Sequence, residues 1–139
     1  MVERFSIGEA ANATGVKIPT IRYYEEIGLL PRPDRTEGNR RVYAPEEIRR
    51  LIFIRHARGL GFEIDPIRTL LQLQDKPEQS CAGADDIARI RLADVEQRIT
   101  ALSKLREELQ RMIEDCEKGE VACCKVIETL NSGIDWGAG

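Results

Sequence analysis

The sequence predicts a mainly α fold: an N-terminal winged helix-turn-helix, one long coiled-coil helix, and a short helical tail. Three observations predict it. Hydrophobic residues make up 42% of the 139 and charged residues 32%, but aromatics only 5%. That balance suits helices with charged outer faces better than a β-sandwich. Glycines and prolines cut the first 75 residues into helix-sized pieces with one proline-bracketed stretch between them. Residues 84–116 then run without a glycine or proline, with apolar residues in alternating three- and four-residue steps.

The elements follow in order. Ser6-Ile7-Gly8-Glu9 is a capping box ahead of alanines, and Thr14-Gly15 stops that first helix. Pro19 suits the first turn of a second short helix, "PTIRYYEEIG", which ends at Gly28. Two short helices joined by a tight turn with a glycine predict a helix-turn-helix. In "LLPRPDRTEGNRRVYA", Pro31 and Pro33 exclude a helix, and Glu37-Gly38-Asn39 is turn chemistry, so this stretch predicts a β-hairpin, or wing. "PEEIRRLIFIRHARGLGF" is a third helix, with Pro45 in its first turn and Gly59 to Gly61 at its end. "EIDPIRTLLQLQ" is a fourth, and "DKPEQSCAG" a linker. The boundaries predicted are residues 1–75, a linker at 76–83, the long helix at 84–116, and a loop, short helix ("KVIETL") and tail at 117–139.

The long helix carries Ala88, Leu92, Val95, Ile99, Leu102, Leu109, Ile113 and Cys116 at heptad spacing, broken only by Arg106. A lone helix cannot bury such a stripe in itself. It packs on the chain's own front half or pairs with a second copy, and a narrow, long stripe favours pairing.

Residues 1–58 carry 11 Lys+Arg against 8 Asp+Glu, and the remainder 10 against 16. A basic front and an acidic back point a polyanion at the front. The second helix of a helix-turn-helix presents its N-terminal residues to base edges and phosphates, here Pro19 to Tyr24. Thr20, Arg22 and Tyr23 are candidates there, and Arg35, Arg40, Arg41 and Tyr43 in the wing. Arg offers a fork of donors to phosphate or guanine, and Tyr a hydroxyl to phosphate. Singly, each is ordinary amphipathic surface; the basic wing beside the helix-turn-helix is what gives the set weight. His56, the only histidine, sits on a core-type helix and is expected to be structural. No apolar run is long enough to span a bilayer, and "MVERFSIGEA" is not a targeting segment, so a cytoplasmic protein is expected.

Three of the four cysteines fall in "CEKGEVACC", residues 116–124; the fourth is Cys81. Disulfides are rare in the cytosol, whereas thiolates bind soft or borderline metals. Cys81 and Cys116 stand at opposite ends of a helix of roughly 48 Å and cannot meet within one chain. If "KVIETL" is a helix, its dipole and Lys125 favour the thiolate form of Cys123 and Cys124. No histidine lies nearby to complete a nitrogen-rich zinc site, which tilts toward softer ions. There is no cofactor loop and no base beside the thiols, so an enzyme is not expected. A thiol-redox or electrophile sensor is the alternative.

The stretches "TIRYYEEIGLLPRPDRTEGNRRVY" and "IRRLIFIRHARGLGFEIDPIRTLL" resemble the MerR transcription regulators, and the resemblance covers nearly the whole chain. It implies a homodimer whose long dimerisation helices pair antiparallel. It also implies a winged helix-turn-helix on a palindromic promoter, and activation by DNA distortion that lets RNA polymerase engage both promoter elements. By resemblance Arg22 and Tyr23 face DNA from the recognition helix, and Arg41 and Tyr43 from the wing; Arg40 stands where many members carry an aromatic. Drug sensors of the family have a large C-terminal domain, and iron–sulfur sensors four cysteines in one loop. The metal sensors resemble this chain more closely. They carry a cysteine at the end of the long helix, one or more after a short loop, and often one at the helix start. Here those are Cys116, Cys123 or Cys124, and Cys81. In an antiparallel dimer Cys81 of one copy meets Cys116 of the other, and the short C-terminal metal-binding loop completes the site. Cys81 favours a divalent ion, Zn(II), Cd(II), Pb(II) or Hg(II). The seven residues between Cys116 and Cys124 resemble the Cu(I) sensors, and the six before Cys123 the cadmium sensors. Cys124 is the favoured ligand and Cys123 an additional or alternative one.

Overall fold

The computed structural model describes residues 3–115, 119, 121 and 124–133. Its elements run β1 (Phe5–Ser6), α1 (Ile7–Thr14), α2 (Ile18–Glu26), β2 (Asp34–Arg35), β3 (Arg41–Tyr43), α3 (Pro45–Gly59), α4 (Ile64–Gln74), α5 (Ala82–Glu114) and α6 (Lys125–Asn131). The chain divides into two compact units, Met1–Arg89 and Ile90–Gly139.

In the first unit the local signals do what their chemistry requires. Ser6 Oγ accepts from Glu9 N–H at 3.1 Å, and the Glu9 carboxylate accepts from Ser6 N–H at 3.0 Å. Two of the unpaired donors at the start of α1 are thereby met. The bond from Ser6 N–H is also the main cause that holds the Glu9 carboxyl below the usual carboxylate range. Gly15 ends α1 at φ +75°. A Cβ there would meet only the movable end of Arg55, its guanidinium carbon at 3.0 Å, so it is the left-handed backbone that favours glycine. After α2, the N–H groups of Leu29 and Leu30 fold back onto Tyr24 C=O at 2.9 and 3.2 Å, and Arg50 Nε donates to Leu29 C=O at 2.8 Å.

A three-stranded antiparallel sheet has the order β1-β3-β2, with Phe5 opposite Tyr43 and Arg35 opposite Arg41. The hairpin is the expected wing. The third strand, β1, is not expected: it is two residues long, and its partner lies beyond the whole helix-turn-helix. In the hairpin turn Asn39, rather than Gly38, takes the left-handed conformation, at φ 63°. Asparagine tolerates that region better than most residues. Ala10, Ile21, Tyr43, Leu51, Ile54 and Ile67 are wholly buried, and Leu71 of α4 joins them in one core. Each large aliphatic so buried contributes about 1.5–3 kcal/mol.

The second unit is built differently. It holds most of α5, an unbroken helix of 33 residues, about 50 Å at 1.5 Å per residue, whose residues up to Arg89 belong to the first unit. Of its heptad residues beyond Arg89, Leu92, Ile99, Leu102, Leu109 and Ile113 are exposed and Val95 is half-buried. Met112, off the stripe, is buried. Pairs such as Arg111–Glu108 at 2.8 Å and Arg98–Asp94 at 3.4 Å dress the helix at i,i+3 and i,i+4 spacing. α6 forms where "KVIETL" predicts it. No helix among the described residues is long and apolar enough to cross a membrane.

Candidate nucleic-acid interface

The 3.6-residue period of α2 decides which side chains face out. Ile21 and Tyr24 point into the core, so Thr20 is half-buried, and Arg22 and Tyr23 stand exposed. The Tyr23 and Tyr24 rings lie 6.1 Å apart and tilted. Arg22 then shares a cleft of about 690 Å³ with Arg32 and Arg35 of the wing, Arg41 of β3, Glu25 and Glu26. A smaller groove of about 260 Å³ has Ser6, Asn39 and Arg40 at its edge together with Arg22, Arg35 and Arg41. Four arginines on one concave wall concentrate positive potential, and their forked donors suit phosphate oxygens. The structure thus brings the expected Arg22, Arg40 and Arg41 to one face and adds Arg32, which the sequence does not single out.

Tyr43 is the correction. The sequence places it on the DNA face; the structure buries it completely, opposite Phe5 in the sheet. Its phenol donates a short hydrogen bond to Glu25 Oε1. Burial first, and then Glu25, raises the phenol well above the ordinary tyrosine range. Arg41 Nε lies 3.2 Å from Glu25 Oε2, off the line of a hydrogen bond and thus an ion pair only. The Glu25 side chain is 8% exposed. Sequence reasoning misses this carboxylate, because one acid in the run "RYYEEIG" carries no mark of what it faces. His56 is the other difference. Its position on α3 suggests packing, yet it is exposed in the last helical turn.

The thiols are only partly in view. Cys81 is exposed immediately before α5, in the first unit. Cys124 is half-buried at the N-cap of α6, in the second, and its N–H donates to Val121 C=O at 3.0 Å. Lys125 Nζ lies 3.4 Å from the Glu128 carboxylate, its partner one turn along α6. Cys116 and Cys123 lie outside the described residues. Among the described residues no three His, Cys, Asp or Glu side chains gather closely enough to hold a metal ion.

Comparison with known proteins bears on both sites. Residues 5–74 match the family described as MerR HTH family regulatory protein, and residues 48–112 the one described as MerR, DNA binding. The HTH-type transcriptional regulator ZntR of Escherichia coli strain K12 is 39% identical over 132 residues, 93% of this chain and 94% of that one. The mercuric resistance operon regulatory protein of Bacillus cereus is 38% identical over 128 residues, 91% of this chain and 97% of that one. Among solved structures, the transcription regulator PbrR691 from Ralstonia metallidurans CH34 in complex with lead(II) superposes with a TM-score of 0.77 at 34% identity. It covers 91% of this chain and 98% of that one. These relatives are transcription regulators, not enzymes.

Proposed function

The chain belongs to the MerR family of helix-turn-helix regulators, and from that premise we propose that it is a metal-responsive transcription regulator. As a homodimer it binds a palindromic promoter and activates transcription by distorting the DNA for RNA polymerase when a soft ion binds its thiolates. One observation carries the reading: Arg22, Arg32, Arg35 and Arg41 line a single cleft beside the exposed face of α2. That arrangement supports phosphate contacts from the recognition helix and wing together, with Arg22 and Tyr23 on the helix, Thr20 at its start, and Arg40 and Arg41 on the wing.

The exposed stripe of α5 supports pairing with a second copy, since each aliphatic it covers contributes about 1.5–3 kcal/mol. Relatives named for mercury resistance and solved with lead(II) support a soft divalent ion as effector. The donor set fits such an ion: Cys116 and Cys124 from one chain, Cys123 as an additional ligand, and Cys81 from the other chain. An exposed Cys81 is open to it. Three thiolates bind Cd(II), Pb(II) or Hg(II) as soft ligands do. An ion held by those thiolates would cross-link the two copies.

Titration of the reduced protein with Cd(II), Pb(II), Hg(II), Zn(II) and Cu(I) tests this, read as sulfur-to-metal ultraviolet absorption. One ion per site is expected, tightest for a soft divalent ion. Stoichiometric binding of Cu(I) alone moves the effector to copper. No stoichiometric binding of any ion sinks the metal reading and leaves a thiol-redox sensor.

A further inference from the structure

An acid in the wall of an anion-binding cleft works against its purpose. Its charge repels the phosphate, and more strongly near a protein surface than in open water. Two acids stand there. Glu26 is exposed, and water screens it. Glu25 is nearly buried, and its two oxygens are turned onto the wing. Oε1 accepts the Tyr43 hydroxyl, and Oε2 faces Arg41 Nε at 3.2 Å. Both partners lie on β3, so one carboxylate on α2 fastens that strand at two points. Tyr43 is anchored in turn by burial and by its place opposite Phe5.

Arg41, for its part, lines both the larger cleft and the smaller groove. Its guanidinium is paired through Nε, and among the described residues no partner takes its Nη groups. Fixing Nε orients the rest of the planar fork. It also leaves less rotamer freedom to be lost when an anion arrives. We propose that Glu25 is a positioning residue for nucleic acid: it locks the wing to the recognition helix and aims Arg41 into the cleft it shares with Arg22, Arg32 and Arg35. The proposal rests on the DNA-binding reading above.

The test uses the full chain and the duplex that the wild-type protein selects from a random 30-base-pair pool, with binding followed by fluorescence anisotropy over a potassium chloride series. If no duplex is selected, it is the DNA-binding reading that has failed. With a selected duplex, Glu25→Gln is expected to bind about tenfold more weakly, and its salt slope to fall by about one, as one phosphate contact is lost. In an Arg41→Ala background the same change is expected to alter affinity less than twofold. Tyr43→Phe frees one of the two fastenings and is expected to weaken binding about threefold. Tighter or unchanged binding by Glu25→Gln, the result of merely deleting a negative charge from a DNA-facing surface, overturns the proposal. So does an equal loss with Arg41 already removed. Where circular dichroism shows Glu25→Gln unfolded, the cycle of Tyr43→Phe with Arg41→Ala decides: coupled losses uphold the proposal, additive ones overturn it.

Discussion

In the unit Met1–Arg89 a set of large aliphatic side chains is inside: Leu51, Ile54 and Ile67 show no exposed surface. In the unit Ile90–Gly139 they are outside: Leu102 is 63% exposed and Ile113 68%. Both units are helical and both are rich in charge. The difference lies in what the apolar residues are for. Those of the first unit close a core and stabilise one chain at any concentration. Those of the second are exposed, and under the proposed pairing they are covered by a second copy, so their contribution follows mass action. Under that pairing a single polypeptide separates a self-sufficient core from an association element.

Four experiments break or sharpen that division, taken from the largest expected effect downward. Cys116→Ser is expected to abolish the metal response outright while leaving metal-free DNA affinity unchanged; retained induction in a reporter assay removes Cys116 from the site. Leu102→Glu places a charge in the paired stripe, twice per dimer. Dimer dissociation measured by analytical ultracentrifugation is expected to rise about a thousandfold, close to 4 kcal/mol, with the helix content of the first unit kept. An unchanged dimer constant means the stripe is not the interface. Leu51→Ala does the reverse: about 3 kcal/mol is lost from unfolding in urea, with no change in the dimer constant of the folded protein. The last effect is absent at neutral pH. The Tyr43 phenol is held above its ordinary value of 10.0 in the folded chain. Its contribution is therefore fully present below pH 10 and is lost as pH rises beyond it. Thermal melts are expected to fall above pH 10 for the wild type and to fall less for Tyr43→Phe.

What the sequence reveals follows the range of the interaction. The capping box of Ser6 and Glu9, the stop at Gly15 and the start of α6 are contacts within one turn, and each is readable from neighbours alone. The stripe on α5 is readable too, because its period repeats over the whole helix. The sheet pairing of Phe5 with Tyr43 is not, since a two-residue strand has no period and its partner is remote. Tyr43 is misread for the same reason: tyrosine suits a DNA face and a core equally, and only the fold decides. Glu25 escapes notice because its meaning lies in the residues opposite it. The thiols are legible as a spacing, Cys81 ahead of the long helix and Cys116, Cys123 and Cys124 behind it; Cys116 and Cys123 lie outside the described residues, and Cys81 and Cys124 belong to different units.

The length of α5 has a genetic consequence. Cys81 precedes a helix of 33 residues and Cys116 and Cys124 follow it in sequence, so under the proposed pairing, with Cys81 from one copy and the tail thiols from the other, each metal site draws on two gene products. Cys81→Ser and Cys116→Ser then each spoil both sites when expressed alone. Expressed together, they form mixed dimers in which one site collects both defects and the other collects none. Two inactive alleles in one cell are expected to restore a response that neither supports by itself.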